Sequence, residues 1–341
     1  MAEKKVDVKI ANKSDAEEWD KLVEASPHGT IFHTWKWLKI VEKHTNSKLY
    51  PIIGYKGSTP IGVYPLFYQK KSFLKMLFSP PPHTAIPYMG PIFINYNKLK
   101  QDKKESYSLE FQREIDSFIS SNTSPNYILV NLAPGLLDAR PFVWTGYQVM
   151  PTYHYQIDLS KGMDKVWKDF KTSLRQHINR AKKRGVTVEE GGKKELLYIY
   201  DSLVKRYKQQ GKRVRVPRSY LLDLYEEFYP QNLRIFVAKH NNELVGGIVT
   251  LFYRDRVSYW IGGAKPDLEG TSPNDLVQWE AMNWSYKHGA KYYEEIGANT
   301  ERLCKFKARY NPNLVVCFTA EKYYTAIFKL AKSLYLKIRQ K

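Results

Sequence analysis

Four basic side chains that follow a predicted strand are the strongest candidates for chemistry in this sequence. They come after the strand Lys291–Ile296 and the flexible sequence Gly297-Ala298-Asn299, and they are Arg302, Lys305, Lys307 and Arg309. Ligands of open α/β sheets bind beyond the carboxyl ends of strands. An ammonium group at such a point can hold a diphosphate or offset an oxyanion that forms on a carbonyl. A surface helix with ordinary basic residues is the alternative interpretation.

Three other sets of residues carry weaker signals. Cys304 lies among these cations, which would lower the pKa of a thiolate nucleophile, but burial of the thiol is favoured because no histidine is near it in sequence. Gly262-Gly263, after the predicted strand Val257–Ile261, either presents backbone N–H groups to a carbonyl or phosphate or forms a simple turn. His28 and His33 have no third ligand in sight, so a metal site is not expected.

The chain is strongly basic, with 54 Lys and Arg against 34 Asp and Glu and a net charge of +20. Much of this surplus is local, because residues 161–218 contain 18 Lys or Arg and 6 Asp or Glu. Such a surplus indicates a polyanionic partner. The predicted helix Lys161–Arg184 has an apolar stripe of Trp167, Phe170, Leu174 and Ile178. Its basic residues, including Arg175, therefore face elsewhere and form either a phosphate-binding face or a solvated one.

Length and composition exclude several classes of protein. With 341 residues, 43% of them hydrophobic, the chain can fill two domain cores and is not a disordered tail. Its two cysteines, Cys304 and Cys317, exclude a disulfide framework and a four-ligand zinc site. The longest nearly apolar stretch, Leu244–Tyr253, is about half the roughly 20 residues of a membrane span. We therefore expect a cytoplasmic protein without a signal peptide or transmembrane helix.

Hydrophobic periodicity predicts the same order of elements twice along the chain. In the first half it predicts helices at Ala16–Glu24 and Trp35–His44, a β-hairpin of Tyr50–Tyr55 and Ile61–Tyr68, an apolar run at Gly90–Ile94, a helix at Ser106–Ser121 and a strand at Asn126–Asn131. In the second half it predicts helices at Lys161–Arg184, Glu195–Gln209 and Arg218–Phe228, a hairpin of Leu233–Lys239 and Glu243–Tyr253, a strand at Val257–Ile261, a helix at Asn274–Lys287 and a strand at Lys291–Ile296. This repetition predicts a duplicated α/β unit and two domains, 1–150 and 151–341, with mixed sheets flanked by helices.

A terminal helix is predicted over residues 323–341. Its apolar stripe, with lysines between, consists of Ile327, Leu330, Ala331, Leu334 and Ile338. Docking of this stripe on the protein's own core is favoured, because Tyr323, Tyr324 and Phe328 widen the apolar face. The alternative is contact with an anionic membrane, which would make the protein peripheral to the inner face of that membrane.

Several short stretches follow one another in a distinctive order. In the first half they are Gly29-Thr30-Ile31-Phe32-His33-Thr34 with Trp37, and Tyr88-Met89-Gly90-Pro91. In the second half they are Ser173-Leu174-Arg175 with Ile178 and Arg180-Ala181 ahead of Gly185-Val186, Tyr259 to Ala264, Ser272 to Leu276 with Trp279-Glu280, and Glu295 to Ala298 followed by Phe306-Lys307. In this order and spacing they resemble the Fem-type (FemABX-like) aminoacyl- and acyltransferases of the GNAT superfamily, over nearly the whole chain.

The resemblance implies two tandem GNAT-like domains, the second of which carries the catalytic motifs. It also implies transfer of an aminoacyl or acyl group to an amine of a cell-envelope precursor or a sugar-nucleotide-linked, phosphate-bearing acceptor. The implied donor is aminoacyl-tRNA or acyl-CoA, with no tightly bound cofactor and no metal. Lys307 of the Phe-Lys motif would stabilise charge on the acyl carbonyl or on acceptor phosphates, and Tyr259 would line the acceptor site.

The predicted site combines these motifs with direct attack of a neutral amine on an ester or thioester, since no nucleophile and base for a covalent intermediate are visible. The expected catalytic residues are the charge-balancing Lys307 and Lys305 and the proton-relaying Glu295 and Glu280. The expected substrate-binding residues are Tyr259, Gly262, Gly263, Asn274, Arg302, Arg175, Arg206 and Arg213. Glu295 stands where an aspartate is common in the family, and Lys208-Gln209-Gln210-Gly211 lacks the arginine that many members have before this glycine.

Two other functions fit the sequence. An acyl-CoA-dependent N-acetyltransferase of a small molecule or sugar fits the resemblance, although a Gly-rich pyrophosphate loop at a strand-to-helix turn is not visible. A non-enzymatic protein that binds nucleic acid or an anionic surface fits the charge and the aromatic content. An enzyme would gather its Lys and Arg side chains around a cleft, whereas a binding protein would spread them along one open face.

Overall fold

The computed structural model describes residues 5–262, 268 and 271–325. In chain order the strands are β1 (Val6–Ile10), β2 (Lys48–Lys56), β3 (Thr59–Lys71), β4 (Leu74–Ser79), β5 (Ile92–Phe93), β6 (Tyr127–Asn131), β7 (Gln148–Asp158), β8 (Thr187–Glu190), β9 (Leu233–His240), β10 (Glu243–Tyr253), β11 (Arg256–Gly262), β12 (Tyr292–Glu295) and β13 (Asn313–Tyr323). The α-helices are α1 (Ala16–Ala25), α2 (Trp35–Thr45), α3 (Gln101–Asn122), α4 (Arg140–Trp144), α5 (Met163–Asp169), α6 (Thr172–Lys183), α7 (Lys193–Gln209), α8 (Arg218–Phe228), α9 (Pro273–Lys287) and α10 (Glu301–Lys307).

Residues 5–152 and 316–325 belong to one compact unit. Its strands lie in the order β1-β2-β3-β4-β6-β13, with β5 beside β3. Neighbouring strands in this order are antiparallel, apart from the parallel pair β4 and β6. Phe111 and Ile115 of α3 share one buried core with Ile52, Leu66 and Ile128 of the sheet. The apolar side of α3 therefore covers one face of the strands.

Residues 153–315 form the second compact unit. Its strands lie in the order β8-β9-β10-β11-β12-β7. Neighbours are again antiparallel, apart from the parallel pair β11 and β12. The core of this unit joins Leu174 and Ile178 of α6, Val277 of α9 and Tyr293 of β12. Helices α6 and α9 thus pack on the strand that carries the predicted Glu295.

The two units repeat one pattern of elements. In each unit, two α-helices lie along the chain between the first and second strands of the sheet order: α1 and α2 in the first unit, α7 and α8 in the second. One α-helix, α3 or α9, connects the two parallel strands. In each, the sixth strand is antiparallel to the second member of the parallel pair. The predicted duplicated α/β architecture with mixed sheets and flanking helices is confirmed.

The chain is divided differently from the predicted domains 1–150 and 151–341. The first unit includes described residues up to Thr152, but residues 316–325 also belong to it. The reason is that Thr319–Tyr323 of β13 pairs with β6. Tyr323 accordingly ends a strand and does not begin a helix, and the rest of the predicted terminal helix, 326–341, lies outside the described residues. In the described part of the chain, no helix is both long and apolar enough to cross a membrane.

The predicted helix Lys161–Arg184 consists of two helices, α5 and α6. Phe170 and Lys171 between them have extended ψ angles of 143° and 137°. This break places the Phe170 ring edge-on to Tyr310, with 5.3 Å between ring centroids, and the Lys171 N–H donates to the Arg309 carbonyl at 2.9 Å. The predicted buried stripe is still formed, since Phe170, Leu174 and Ile178 are buried and Trp167 packs against the same core.

Candidate functional site

The parallel strands β11 and β12 stop pairing at one end, where Tyr259 lies opposite Glu295. β12 ends at Glu295, whereas β11 continues to Gly262. Residues opposite each other in a sheet point to the same face, so these two side chains are neighbours. The carboxyl end of parallel strands is also where open α/β sheets bind ligands.

Glu295 is the buried acid of this site. Its side chain is fully buried, and neither carboxylate oxygen has a hydrogen-bond partner among the described residues. Removal of a carboxylate from water disfavours its ionised form. Burial, partly offset by the nearby charge of Lys307, raises the pKa of Glu295 to about 7. The carboxyl group can therefore accept or release a proton near neutral pH.

Lys307 supplies the opposite charge. Its Nζ lies 3.8 Å from Glu295 Oε2, and its side chain is 8% exposed. Nζ also donates to the carbonyl oxygens of Ile296 and, at 3.1 Å, Gly297. Burial lowers the pKa of Lys307, and the charge of Glu295 opposes that change. Gly297 has a φ of +83°, a left-handed conformation that suits glycine, so the chain can turn here around the ammonium group.

Tyr259 lies across Gly262 of the same strand. A Cβ atom at Gly262 would come within 1.7 Å of the Tyr259 hydroxyl oxygen, so this ring position requires glycine. Burial and the charge of Glu295 raise the pKa of Tyr259, while the charge of Arg206 lowers it. Arg206 is thus within electrostatic range of the tyrosine. The structure brings together three of the predicted residues, namely Lys307, Glu295 and Tyr259, with Gly262 beneath the tyrosine ring.

A second buried carboxylate, Asp275, lies in the first turn of α9. It accepts hydrogen bonds from Arg309 Nη2 at 3.1 Å and from the Tyr310 hydroxyl at 3.0 Å, and His177 Nδ1 is 3.4 Å away. Both carboxylates have a cation nearby, but only Asp275 also accepts hydrogen bonds from residues that the structure describes. Asp275 therefore fastens α9 to the residues that follow α10, which fixes the helix that carries Lys307.

Replacement of Asp275 with alanine should lower the free energy of unfolding by about 3 to 5 kcal/mol, because it leaves the partly buried Arg309 guanidinium and the buried Tyr310 hydroxyl without their acceptor. Denaturant unfolding followed by circular dichroism measures this change. The matched control is Asp169→Ala, which removes a carboxylate paired with Lys161 and Lys165 near the surface. That variant should cost less than about 1 kcal/mol. Equal losses in the two variants would contradict the framework role of Asp275.

His154 and Cys304 also lie near the pair. Burial lowers the pKa of His154 to about 4, so its ring is neutral at pH 7. Its Nδ1 accepts a hydrogen bond from the Gly297 N–H at 3.1 Å, which places the ring proton on Nε2. Cys304 is half-buried on α10 and interacts with Tyr155, the residue of β7 opposite Glu295. Among the described residues, no three His, Cys, Asp or Glu side chains are grouped so as to hold a metal ion.

Two of the predicted catalytic residues have ion pairs of their own. Lys305 is exposed on α10 and pairs with Glu301, one turn earlier. Glu280 lies on α9, where its Oε1 is 2.8 Å from Lys182 Nζ. These contacts are those of solvated helix residues, and the described structure shows no contact of either residue with Glu295.

The other predicted binding residues are spread over several elements. Asn274 Oδ1 accepts a hydrogen bond from the Gly247 N–H at 3.1 Å and so fastens α9 to β10. Arg302 on α10 and Arg213 after α7 are exposed. Arg175 is half-buried on α6, with Nη2 3.4 Å from Thr172 Oγ1. Gly263 lies outside the described residues. Binding roles for these residues stay predictions.

Neither Asp275 nor His154 was among the site residues predicted from the sequence. Asp275 had a local signal, because it follows Ser272-Pro273 at the start of a predicted helix, where an acidic residue is favoured. No local sequence pattern marks His154, because its contact with Gly297 joins residues that are 143 positions apart in the chain.

In the first unit, the carboxyl end of the parallel pair β4 and β6 is occupied by Met89 and Gly90. The Met89 N–H donates to the Asn131 carbonyl at 2.7 Å, and Met89 forms a parallel bridge with Leu132. The Gly90 N–H donates to Ser79 Oγ at 3.0 Å. Of the two equivalent strand ends, the second unit's is the one with the buried acid and ammonium.

Part of the chain matches a known family. Residues 168–307 match the model of the GNAT acetyltransferase domain, a range that includes Tyr259, Glu295 and Lys307. No curated protein matches the chain by sequence.

Solved structures share the fold over nearly the whole chain. FemX is 14% identical with a TM-score of 0.70, over 92% of this chain and 96% of FemX. The C-terminal domain of a protein described as a lysylphosphatidylglycerol synthetase from Agrobacterium fabrum is 13% identical with a TM-score of 0.56, over 95% of this chain and 96% of that domain. A tandem GNAT protein from the clavulanic acid biosynthesis pathway is 10% identical with a TM-score of 0.52, over 93% of this chain and 98% of that protein. The chain therefore has the fold of FemX and of the tandem GNAT protein, as the sequence resemblance predicted, and residues 168–307 of its second unit match the GNAT acetyltransferase domain.

Proposed function

We propose that this protein is an N-acyltransferase that transfers an aminoacyl or acyl group to an amine by direct attack on an ester or thioester. The observation that carries the proposal is the pair at the end of β11 and β12. Glu295 is a buried carboxyl group without a hydrogen-bond partner among the described residues, has a pKa of about 7 and lies 3.8 Å from the ammonium of Lys307. Burial of a charge pair costs folding free energy, and titratable groups with strongly shifted pKa values are concentrated at functional sites.

Glu295 is the proposed general base. The amine nitrogen forms a bond to the acyl carbonyl carbon, and its proton passes to a Glu295 carboxylate oxygen. The tetrahedral intermediate then collapses and its C–O or C–S bond breaks. The proton held by Glu295 passes to the departing oxygen or sulfur, so the donor leaves as an alcohol or thiol and Glu295 is ionised again. A base with a pKa near the working pH is the most efficient, which agrees with the value for Glu295.

Lys307 is the proposed partner of the oxyanion. Two of its three N–H donors are used by the carbonyls of Ile296 and Gly297, which leaves the third for Glu295 or for a ligand. When Glu295 takes up the amine proton, it becomes neutral at the same time as negative charge forms on the carbonyl oxygen. The counter-ion of Lys307 is then the oxyanion in place of the Glu295 carboxylate, so the net charge of the site is unchanged during the step.

The favoured donor is aminoacyl-tRNA, and the basic segment 161–218 supports it. The acceptor proposed with it is a phosphate-bearing cell-envelope precursor or a sugar-nucleotide-linked amine, in line with the Fem resemblance and with the lipid named for the Agrobacterium fabrum protein. The second candidate is an acyl-CoA-dependent N-acetyltransferase, which the match to the GNAT acetyltransferase domain favours. A binding protein without catalytic activity would not require the buried pair.

Affinity for tRNA should fall steeply as salt rises, with a slope set by the number of phosphates contacted, because bound cations release counter-ions from the nucleic acid. Filter binding of charged tRNA and calorimetry with acyl-CoA, each over a salt series, measure the two donors side by side. Transfer from each radiolabelled donor to a panel of amines then tests the function. Binding of acyl-CoA without detectable tRNA binding at low salt would contradict the tRNA donor, and transfer from neither donor would contradict the acyltransferase.

A further inference from the structure

The hairpin of β3 and β4 extends beyond its neighbours in the first unit. On one side, the pairing of β2 with β3 ends at Lys48 and Tyr68. On the other side, the pairing of β6 with β4 begins at Tyr127 and Met76. Residues 70–74, here called the hairpin tip, are therefore a two-stranded projection, closed by a turn in which Ser72 has a φ of +55°.

An aromatic side chain occupies the end of this projection. Phe73 is 81% exposed, the highest fraction among the large hydrophobic side chains of the described residues. Single exposed apolar residues are common on proteins. Phe73 differs because the tip holds it away from the core, at a turn position where a small polar residue is usual.

Lysines surround this phenylalanine. Lys70 and Lys75 face each other across the hairpin, and Lys71 is next to the turn. Like charges directly opposite each other destabilise a sheet. None of the three has an ion-pair partner among the described residues, and the loops at the same end, 45–48 and 122–126, contain no Asp or Glu.

Protection of an exposed strand edge explains lysines but not an aromatic residue at the tip. RNA would accept both residue types, yet single-stranded binders track the backbone in a groove, and this tip is convex. A bilayer surface suits a convex projection, because the ring enters the interface while the lysines stay at the headgroups.

We infer that the hairpin tip is a membrane-surface contact that inserts Phe73 into the interface of an anionic bilayer, with Lys70 and Lys71 of the tip and the adjacent Lys75 at the lipid phosphates. Binding of this kind places the protein where a lipid-linked amine is found. The inference does not depend on the acyl-transfer chemistry, because its test measures binding alone.

The test is sedimentation of the full chain with vesicles of phosphatidylcholine containing about 30 mol% phosphatidylglycerol, compared with phosphatidylcholine alone. Phe73→Ala should weaken binding about tenfold or more, as expected for loss of one buried aromatic ring. The triple variant Lys70→Gln, Lys71→Gln, Lys75→Gln should weaken it about 100-fold, at roughly a factor of five for each lysine. Melting temperature should stay the same in Phe73→Ala, because the ring is exposed.

Two matched controls separate the tip from general effects. Leu137→Ala removes another exposed apolar side chain, 66% exposed, and Lys13→Gln, Lys21→Gln, Lys287→Gln removes the same charge from exposed lysines elsewhere. Both should retain most of the vesicle binding. Equal losses in control and tip variants would overturn the inference, as would unchanged binding in Phe73→Ala. A tip triple variant that loses tRNA binding but keeps vesicle binding would assign the tip to nucleic acid instead. If truncation before residue 326 abolishes vesicle binding and the tip variants do not alter it, the inference is also wrong.

Discussion

Replacement of Glu295 with glutamine should reduce kcat/KM for acyl transfer by about 100- to 10,000-fold, the range expected for loss of a general base. Glutamine keeps the size of the side chain but cannot accept the amine proton. In the wild-type protein, kcat/KM should rise with pH through about 7 and level off above it, because the base must be ionised and the pKa of Glu295 is about 7. The variant should lose this rise. Steady-state rates over a pH series measure both effects.

The same substitution should change how stability depends on pH. Because the folded-state pKa of Glu295 is raised from 4.5 to about 7, the folded state favours the neutral carboxyl group. The neutral carboxyl group contributes its full stabilisation below about pH 4.5, and this contribution is lost as the pH rises through 7. Relative to Glu295→Gln, the wild-type protein should therefore lose about 3 kcal/mol of unfolding free energy across this window. Buried histidines titrate in both proteins, so the difference between them isolates Glu295.

The matched control for Glu295→Gln is Glu280→Gln, a carboxylate of α9 paired with Lys182. This variant should keep nearly full activity and the same pH profile, since the paired carboxylate is partly exposed. If Glu295→Gln retained wild-type activity at pH 7, the general-base role would be wrong. If both variants lost activity equally, proton transfer would not be confined to Glu295.

Replacement of Lys307 with alanine should lower turnover by about 100- to 1000-fold, the usual loss for removal of one oxyanion donor. It should also raise the pKa of Glu295, because burial then acts without the opposing charge of Lys307. The activity that remains should accordingly rise at a higher pH than in the wild-type protein. Rates above and below pH 7 distinguish the two effects, since only loss of the oxyanion partner lowers the plateau.

Lys305→Ala is the matched control, because Lys305 lies on the same helix but is exposed and pairs with Glu301. It should leave turnover within about twofold, in keeping with the small energies of surface ion pairs. A shift of the pH profile in Lys307→Ala with an unchanged plateau would show that Lys307 is a counter-ion only. Loss of the fold in Lys307→Ala, detected by circular dichroism, would be checked with Lys307→Met, which keeps the stem and removes the charge.

Local patterns predicted the elements that surround the site. The runs Glu243–Tyr253 and Val257–Ile261 were predicted as strands and correspond to β10 and β11. The predicted strand Lys291–Ile296 placed Glu295 at a strand end, with Lys307 in the basic run that follows Gly297. These features depend on neighbours in sequence. Patterns did not separate Lys307 from Lys305, because both are lysines of one basic run. Burial separates them, and burial depends on the contacts of Lys307 with the carbonyls of Ile296 and Gly297.

Several elements that were missed depend on distant partners. Phe170 interrupts a helical pattern because its ring packs against Tyr310, a residue 140 positions later in the chain. β7 and β13 were not predicted, since their residues alternate weakly between exposed and buried. Each becomes a strand by pairing with β12 or β6. The raised pKa of Glu295 likewise follows from burial that no local motif encodes.

The late position of β13 in the chain has a consequence for synthesis of the protein. The ribosome finishes residues 5–152 long before it reaches Thr319, so β6 emerges without the strand that pairs with it. Until then the Tyr127 hydroxyl lacks its acceptor, Glu321, and the backbone edge of β6 is open to other chains. The nascent first unit is therefore exposed to aggregation for as long as translation of the second unit lasts. A gene fragment that stops at Thr152 should need residues 316–325 supplied separately, as a peptide, before it folds.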